Sequence, residues 1–456
     1  MFEWYHRSNS TLTSQWSGTD QYLYLKTAPK GAVFKMDCLF NYLLKGVIFL
    51  STNSNKNKLG FALMLALFSA LGPFTVDMYL SSFPEIMKSF GTNASMVQAS
   101  LTASLLGLSI GQLVMGTLSD VHGRRKPLLV SMILYFIASI GCAFAPSIGT
   151  FIAVRFIQGF FAAAGLVISR AIVRDLYSGV ELTKFFALLT TIASVTPLLS
   201  PLAGGVVTSF TSWIGVFIFT AILGVYLAII TFRNINETLP IEKRIQSTFK
   251  ELCNNYKKLF LNRTFMGYAL VSGIIFAGIF AYVSGSPFIY QNIYGVSPQV
   301  FSLLFSLNGI GLLLAFQLTK FLAGRIHSRT IFLIGLYSAF LASIAVLIVV
   351  LTHGPLFALV ISLFLFNSSN GIIGPMSFTL AMESQGHIAG TASALLGILP
   401  FLFGSVVSPL VGIAGEFSAL PLGIIILTSS LLAVFFNVIL IKNKKELTTS
   451  QKISNF

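Results

Sequence analysis

The sequence predicts an all-α membrane protein of twelve membrane-spanning helices, arranged as two pseudo-symmetric six-helix bundles. Of its 456 residues, 55% are hydrophobic and 9% are charged, whereas charged residues make up about a quarter of an ordinary soluble domain. From Leu59 onward, apolar segments long enough to cross roughly 30 Å of hydrocarbon as helices follow one another almost without pause. Two short motifs in the first half recur in the second half. Length, composition and repetition therefore give the same fold class.

The predicted spans are separated by short polar turns, except for one long basic linker in the middle of the chain. They lie at 59–83, 95–118, 127–145, 149–173, 182–208 and 212–232, and at 264–290, 298–320, 329–352, 355–380, 386–412 and 417–441. This divides the chain into an N-terminal segment, a first bundle, a linker, a second bundle and a tail, at 1–58, 59–232, 233–263, 264–441 and 442–456. The N-terminal segment is either an amphipathic surface segment or a mis-assigned start that precedes the true one at Met36.

The cations indicate the orientation in the membrane. Of the 29 Lys and Arg residues, 27 fall in the terminal segments, the linker and alternate turns. The exceptions are Lys88, in the first opposite turn, and Arg155, inside a span. Because Lys and Arg are retained on the cytoplasmic side, both termini and the linker are expected to be cytoplasmic. The same distribution explains the net charge of +15 without nucleic acid as a partner.

The internal repeat pairs each span with the span six further along. Ser200–Gly204 in span 5 reads SPLAG, and Ser408–Gly412 in span 11 reads SPLVG. Ser109–Gly111 in span 2 matches Gly309–Gly311 in span 8. Parallel halves of this kind place a substrate site between them, near the middle of the membrane.

Nothing in the sequence indicates an enzyme. It contains no phosphate-binding G-x-x-x-x-G-K-[ST] loop, no H-E-x-x-H and no nucleophile elbow. The cysteines Cys38, Cys142 and Cys253 match no metal or redox spacing. We therefore expect no metal and no cofactor, and an ion gradient rather than ATP as the energy source.

The turn after span 2 carries the most specific motif. Gly116 and Asp120 are four residues apart and share a helix face, and they are followed by Gly123, Arg124 and Arg125. Gly116 permits close approach of another helix. One interpretation is a cytoplasmic gate latch, and the other is a basic turn that only sets topology.

Two ionisable residues are predicted inside the membrane, where charge is costly and such residues are functional candidates. Asp77 lies roughly 27 Å into span 1 at 1.5 Å per residue, and we expect it to exchange protons. The alternative places it at the outer interface. Arg155 in span 4 needs a partner, and Asp77 is the obvious long-range one. Otherwise Arg155 snorkels to the outer face.

Span 5 carries the predicted hinge or seal, although general helix packing explains the same residues. The hinge residues are Pro197, Pro201, Gly204 and Gly205. Uncharged polar residues in other spans are candidates for a substrate cavity or for ordinary helix-to-helix bonds. These residues are Gln112, Gln158, Asn308, Asn367 and Asn370.

With these motifs in view, the chain resembles the Bcr/CflA drug:proton antiporters of the major facilitator superfamily. The resemblance rests on Asp77–Pro84, Gly116–Lys126, the Arg155/Gln158/Gly159 element, and Ala389–Gly397 with the span 5 hinge. It covers about 59–441. Two positions depart from the family pattern, since Ser81 stands where proline is usual and Pro400 where glutamine is frequent. We expect both positions to border the cavity.

The resemblance implies two bundles that rock about a central cavity, and a membrane-embedded Asp and Arg at Asp77 and Arg155. It further implies export of small amphipathic drugs, including antibiotics, against inward proton flow. The expected location is the bacterial inner membrane, and the expected state is a monomer in the lipid bilayer. The alternative is a proton-coupled importer or symporter of a specific metabolite, since fold alone does not exclude it.

Overall fold

A computed structural model describes residues 56–244, 249–383, 385 and 389–441. The predicted N-terminal segment up to residue 55 and the tail 442–456 lie outside the described residues. By their contacts, Ala62–Phe456 form one compact unit, to which every contact given below belongs. Of the other unit, Met1–Phe61, the structure describes only residues 56–61, the start of the first helix.

The described residues contain fourteen α-helices. In chain order α1 to α14 are Lys56–Asp77, Phe83–Phe90, Ala94–His122, Arg125–Ala143, Ile148–Leu176, Gly179–Phe210, Trp213–Asn234, Phe249–Leu261, Arg263–Phe288, Pro298–Leu322, Ser328–Leu351, Leu356–Met382, Ala389–Val411 and Leu420–Leu440. A 3₁₀ turn at Leu80–Ser82 joins α1 to α2, and a π-helical turn at Ile289–Ile293 extends α9. α8 lies within the predicted linker.

Eleven helical segments of the described chain are long and apolar enough to cross a membrane. The remaining predicted span, 182–208, falls on α6, a helix of 32 residues whose shorter portion Val195–Phe210 is apolar. The all-α membrane fold is thus confirmed. The boundaries of the five domains stay a prediction.

The first span is longer than predicted. It runs from Gly60 to Phe90, so Lys88, expected in the first opposite turn, lies on α2, as does Glu85. Pro84 occupies the first turn of α2, where its missing N–H costs nothing, and the chain therefore starts a new helix there. The Glu85 carboxylate accepts a hydrogen bond from the Trp213 N–H at 3.2 Å.

Glycines bring the helices of each half into close contact at matching positions. Gly111 on α3 faces the carbonyl of Phe160 on α5, and Gly311 on α10 faces Phe364 on α12. These are spans 2 and 4 in one half and spans 8 and 10 in the other. The motif repeat seen in the sequence therefore corresponds to repeated packing.

The two halves contact each other through α3 with α13 and through α6 with α10. These helices are spans 2 and 11 in the first pair and spans 5 and 8 in the second pair. Spans 2 and 8 are six apart, and so are spans 5 and 11, so the two pairs are equivalent, as two pseudo-symmetric bundles require. Hydrogen bonds between described residues cross from one half to the other, and we call the following four the seal. They join Gln98 to Ser284, Thr102 to Ser405, Gln291 to Ser81 and Ser306 to Leu198, at 2.9–3.2 Å. All four lie toward the ends of the spans that are remote from Arg124.

Candidate functional site

The first candidate site is the point where α1 ends inside the membrane. α1 ends at Asp77, although the span continues to Phe90. The Asp77 side chain is half-buried, and its carboxylate accepts a hydrogen bond from the Ser200 hydroxyl at 3.3 Å. Asp77 therefore lies near the middle of the helical segment Gly60–Phe90 and faces the hinge segment of α6.

Arg155 supports this helix end from α5. Its side chain is only 1% exposed, so the alternative in which it snorkels to the surface is wrong. Nη2 donates to the Thr75 carbonyl at 2.8 Å, which is free because α1 ends two residues later. Nη1 donates to the Gln158 side chain at 2.5 Å, and the guanidinium lies 4.1 Å from the centre of the Tyr79 ring.

The expected ion pair between Arg155 and Asp77 is absent among the described contacts. A carbonyl, an amide and an aromatic ring hold the guanidinium instead, which are the kinds of partner that an intramembrane arginine uses when no carboxylate is within reach. The two residues are nevertheless close along the chain of contacts. Arg155 bonds the carbonyl of Thr75, two residues before the carboxylate.

The second candidate site is the turn between α3 and α4. Arg124 is 2% exposed and bonds two carboxylates, Asp120 at 2.5 Å and Asp175 at 2.7 Å. Gly123 turns the chain at φ +87°, and Gly116 lies close to Val167 of α5. Asp175 was not recognised from the sequence because it lies 51 residues from Arg124, and no local pattern joins them.

Arg125 plays a different part from Arg124. It donates to the Phe232 carbonyl at 2.6 Å and so bonds an unsatisfied carbonyl at the end of α7. We call this turn, with Asp175 and Glu237, the latch. In this structure it joins α3, α4, α5 and α7, which belong to the first half, to the start of the linker.

Glu237 is the second residue of the latch that sequence reasoning missed. Its carboxylate accepts from the backbone N–H groups of Arg124 at 2.7 Å, Arg125 at 3.2 Å and Leu239 at 3.0 Å. Burial alone would raise the pKa of Glu237, but these donors and the nearby Arg244 hold it below its usual value. The charged form of Glu237 is therefore present at neutral pH, and the stabilisation that it contributes is lost only as the pH falls through that lowered pKa.

Replacing Arg124 should release the latch. Arg124→Ala leaves two carboxylates without their common cation, and we expect the free energy of unfolding to fall by about 3 kcal/mol. Arg174→Ala is the matched control, because Arg174 is exposed and lies 3.9 Å from Asp120, so its loss should cost under about 1 kcal/mol. Thermal unfolding of both variants in detergent checks this. Equal losses of stability in the two variants would mean that the burial of Arg124 does not strengthen its ion pairs.

The hinge of α6 lies where three helices meet. Gly204 faces the Met78 carbonyl next to Asp77, and Gly205 lies against the Ser302 hydroxyl of α10 in the other half. Pro197 and Pro201 both lie inside the continuous helix α6, and each removes one backbone donor. The hinge therefore borders the Asp77 site, and at Gly205 it also contacts the other half.

Gly204→Ala should push α6 away from α1. Its new methyl group would meet a backbone oxygen, which cannot rotate away, and overpacking of this kind costs about 1–3 kcal/mol. Gly149→Ala is the control, since its nearest neighbouring atom would be 4.0 Å away. We expect lower thermal stability and lower transport for Gly204→Ala alone. Unchanged stability would show that this contact relaxes freely.

The predicted cavity residues divide into different environments. Gln158 is fully buried and bonds Arg155, Ser139 and Thr220, so it belongs to the arginine site and not to a cavity. Asn308 and Asn367 bond each other at 3.3 Å, and Asn308 also bonds Tyr282 at 2.8 Å. These pairs join α9, α10 and α12 inside the second half.

Gln112 and Asn370 retain polar atoms that have no partner among the described residues. These atoms are Gln112 Nε2 and Asn370 Oδ1, and both are buried. A side chain at Gly397 would lie 3.4 Å from Gln112 Oε1, and Asn370 Oδ1 lies next to Gly374. Gly374 and Gly397 both line a cavity that lies between α9, α12 and α13. Gln112 and Asn370 are therefore the two predicted residues that remain next to a cavity.

That cavity has a volume of about 240 Å³. Its lining is apolar apart from one hydroxyl and consists of Ser272, Phe276, Gly374, Phe378, Leu396, Gly397, Pro400 and Phe401. Of the two positions that depart from the family pattern, Pro400 borders the cavity as expected. Ser81 does not, because it is buried in the seal. The phenylalanines were not predicted, since 43 of them occur and periodicity does not separate those that line a cavity from those that face lipid.

In the described part of the chain, no group of three or more His, Cys, Asp or Glu residues is placed to hold a metal ion. The candidate sites described above consist of the Asp77 carboxylate, the buried Arg155 guanidinium and uncharged polar groups beside an aromatic cavity.

Comparison with known proteins gives one family. Residues 63–409 match the family model described as Major Facilitator Superfamily. An uncharacterized MFS-type transporter, YdgK, of Bacillus subtilis is 48% identical over 381 residues, which are 83% of this chain and 94% of that protein. A bicyclomycin resistance protein homologue of Haemophilus influenzae is 31% identical over 370 residues, 81% of this chain and 93% of that protein.

Among solved structures, the chain is similar to a partially occluded inward-open conformation of the xylose transporter XylE from Escherichia coli. The TM-score is 0.67 at 15% identity, with 84% of this chain and 98% of that chain covered. At this identity the likeness concerns the fold alone.

Proposed function

The chain belongs to the major facilitator superfamily, and on that premise we propose that it is a proton-driven exporter of small amphipathic molecules that works by alternating access. Within the superfamily it is a transporter of the Bcr/CflA drug-exporter type, as its similarity to a bicyclomycin resistance protein homologue indicates. Transport, not catalysis, is its activity. Proton coupling, the direction of transport and the substrate class belong to the proposal.

The observation that carries the proposal is the position of Asp77. It ends α1 in the middle of the first span and bonds Ser200, which lies between Pro197 and Pro201 of the hinge. A carboxylate there can take up or release a proton where charge is costly. Protonation would then favour one packing of α1 against α6 over the other, which is the differential interaction that coupling needs.

The cavity supports the substrate class. Three phenylalanines and one serine line it, with the amide of Gln112 alongside. Such a surface fits a molecule that is largely apolar, with one or two hydrogen-bonding groups. A sugar would leave many hydroxyls without partners there. We propose drug-like substrates, antibiotics among them, for a monomeric transporter.

The positions of the seal and the cations support the direction. The seal lies away from the latch, and the cations cluster at the latch end. If that end is cytoplasmic, the structure is closed to the outside of the cell. We propose that the protein lies in a bacterial inner membrane with both termini cytoplasmic, and that this is the state which accepts substrate from the cytoplasm.

Transport in everted vesicles or proteoliposomes tests the function. We expect an imposed pH gradient to drive accumulation of a fluorescent lipophilic cation or of a neutral amphenicol, and collapse of the gradient with a protonophore to abolish it. Transport that continues after collapse would contradict proton coupling. If neither compound moves while a polar metabolite does, the importer alternative replaces the exporter.

A further inference from the structure

A groove runs along the lipid-facing surface between α4 and α7, away from the substrate cavity. It has a volume of about 450 Å³ and is lined by Leu129, Ile133, Phe136, Val225, Ala228, Ile229, Phe232 and Arg233. Ile133, Ile229 and Phe232 are 44%, 48% and 63% exposed. The groove is thus open and apolar, with a single cation among its lining residues.

The charged end of the groove is the latch end. Lys126 precedes Leu129 by three residues and Ile133 by seven, so it shares their face of α4. Arg233 lines the groove from the last turn of α7. Lys126 and Arg233 are exposed, and neither side chain has a hydrogen-bond or ion-pair partner among the described residues.

Three carboxylates of this end are already engaged. Asp120 and Asp175 bond Arg124, and Glu237 bonds the backbone of Arg124 and Arg125. The Arg125 guanidinium lies 5.7 Å from the centre of the Phe232 ring, at the same end. The mouth of the groove is therefore positively charged, and these carboxylates do not neutralise Lys126 or Arg233.

The length of the groove matches one leaflet. From Lys126 to Phe136 there are ten residues, or about 15 Å of helix, which is half of a hydrocarbon thickness of roughly 30 Å. A chain lying in the groove would run from the charged mouth to the middle of the membrane. A solute dissolved in water is not expected to bind to such an apolar, lipid-facing surface.

We propose that this groove binds an anionic phospholipid of the leaflet on the latch side. One acyl chain lies between α4 and α7, and the headgroup phosphate lies between Lys126 and Arg233. Basic groups between transmembrane helices at the membrane surface recognise phosphate headgroups in this way. Because α4 and α7 also carry the latch through Arg125 and Phe232, the bound lipid fastens the same two helix ends.

Native mass spectrometry of the full-length protein in detergent tests this with dioleoyl phosphatidylglycerol against dioleoyl phosphatidylcholine. We expect saturable binding of one phosphatidylglycerol in preference to phosphatidylcholine. In the double variant Lys126→Gln/Arg233→Gln, affinity should fall about 5-fold per cation, or about 25-fold in total. Lys320→Gln/Arg325→Gln removes two exposed cations of the other half and should bind like the wild type.

A second variant separates shape from charge. Ala228→Phe fills the groove without altering any charge, and we expect it to lose phosphatidylglycerol binding while its helical circular dichroism and elution volume stay those of the wild type. Equal binding of both lipids, or wild-type binding by the double variant or by Ala228→Phe, would overturn the proposal. A dimer that Ala228→Phe dissociates would overturn it as well, because the groove would then bind a second copy.

Discussion

Asp77→Asn is expected to abolish gradient-driven accumulation of substrate while leaving substrate binding in place. Asparagine has the size of aspartate and can still accept the hydrogen bond from Ser200, but it takes up no proton in this pH range. Without proton exchange, the two facing states no longer respond to the gradient. Accumulation under a pH gradient should therefore fall to the level measured with a protonophore.

The measurement pairs gradient-driven uptake into everted vesicles with equilibrium binding of the same substrate to purified protein. Ser200→Ala is the matched control, because it removes the partner of Asp77 and keeps the carboxylate, and it should retain coupled transport. Asp77→Asn itself removes a charge from a desolvated position. It should therefore unfold at a temperature no lower than that of the wild type. An Asp77→Asn protein that concentrates substrate as well as the wild type would make Asp77 a structural residue.

Arg155 should be needed for both folding and transport, but through the end of α1 rather than through an ion pair. Arg155→Met leaves the Thr75 carbonyl and the Gln158 side chain without their charged donor in a fully buried site. Two such bonds together contribute about 4 kcal/mol, so we expect a correspondingly lower free energy of unfolding.

Arg155→Lys separates charge from geometry. Lysine keeps the cation, but its single ammonium does not bond Thr75 and Gln158 and stack on Tyr79 at once. We expect a folded protein whose transport per folded molecule is reduced and whose pH profile is displaced, because the end of α1 that carries Asp77 is less firmly held. Arg174→Lys, on the exposed face of the same helix, should behave like the wild type. Wild-type transport and pH profile in Arg155→Lys would limit Arg155 to supplying charge.

Several features of the site follow from local pattern. Asp77 lies inside an apolar span, where a carboxylate is energetically costly and is therefore a candidate for function. The spacing of Gly116, Asp120 and Gly123 around a basic turn places Arg124 next to Asp120. Paired glycines one turn after two prolines favour close helix packing in span 5, and Gly205 packs against Ser302 of the other half.

The partners of these residues were not predictable in the same way. Arg155 was paired with Asp77 because opposite charges attract, yet the structure gives it Thr75 and Gln158. Because α1 ends at Asp77, the backbone carbonyl of Thr75 is free to accept a hydrogen bond. The pattern of side chains in the sequence does not predict where that helix ends. Asp175 and Glu237 were missed because they reach Arg124 from distant parts of the chain.

The sequence by itself determined that this chain crosses the membrane many times, how its cations are distributed and which few polar residues lie inside. These are properties of apolar length and charge, which can be read one segment at a time. Tertiary structure alone decided which helix faces which, and hence that the Asp77 carboxylate lies beside the hinge and not beside Arg155. That choice depends on glycines that let backbones approach and on carbonyls left free by helix ends, and both act only once distant segments are packed together.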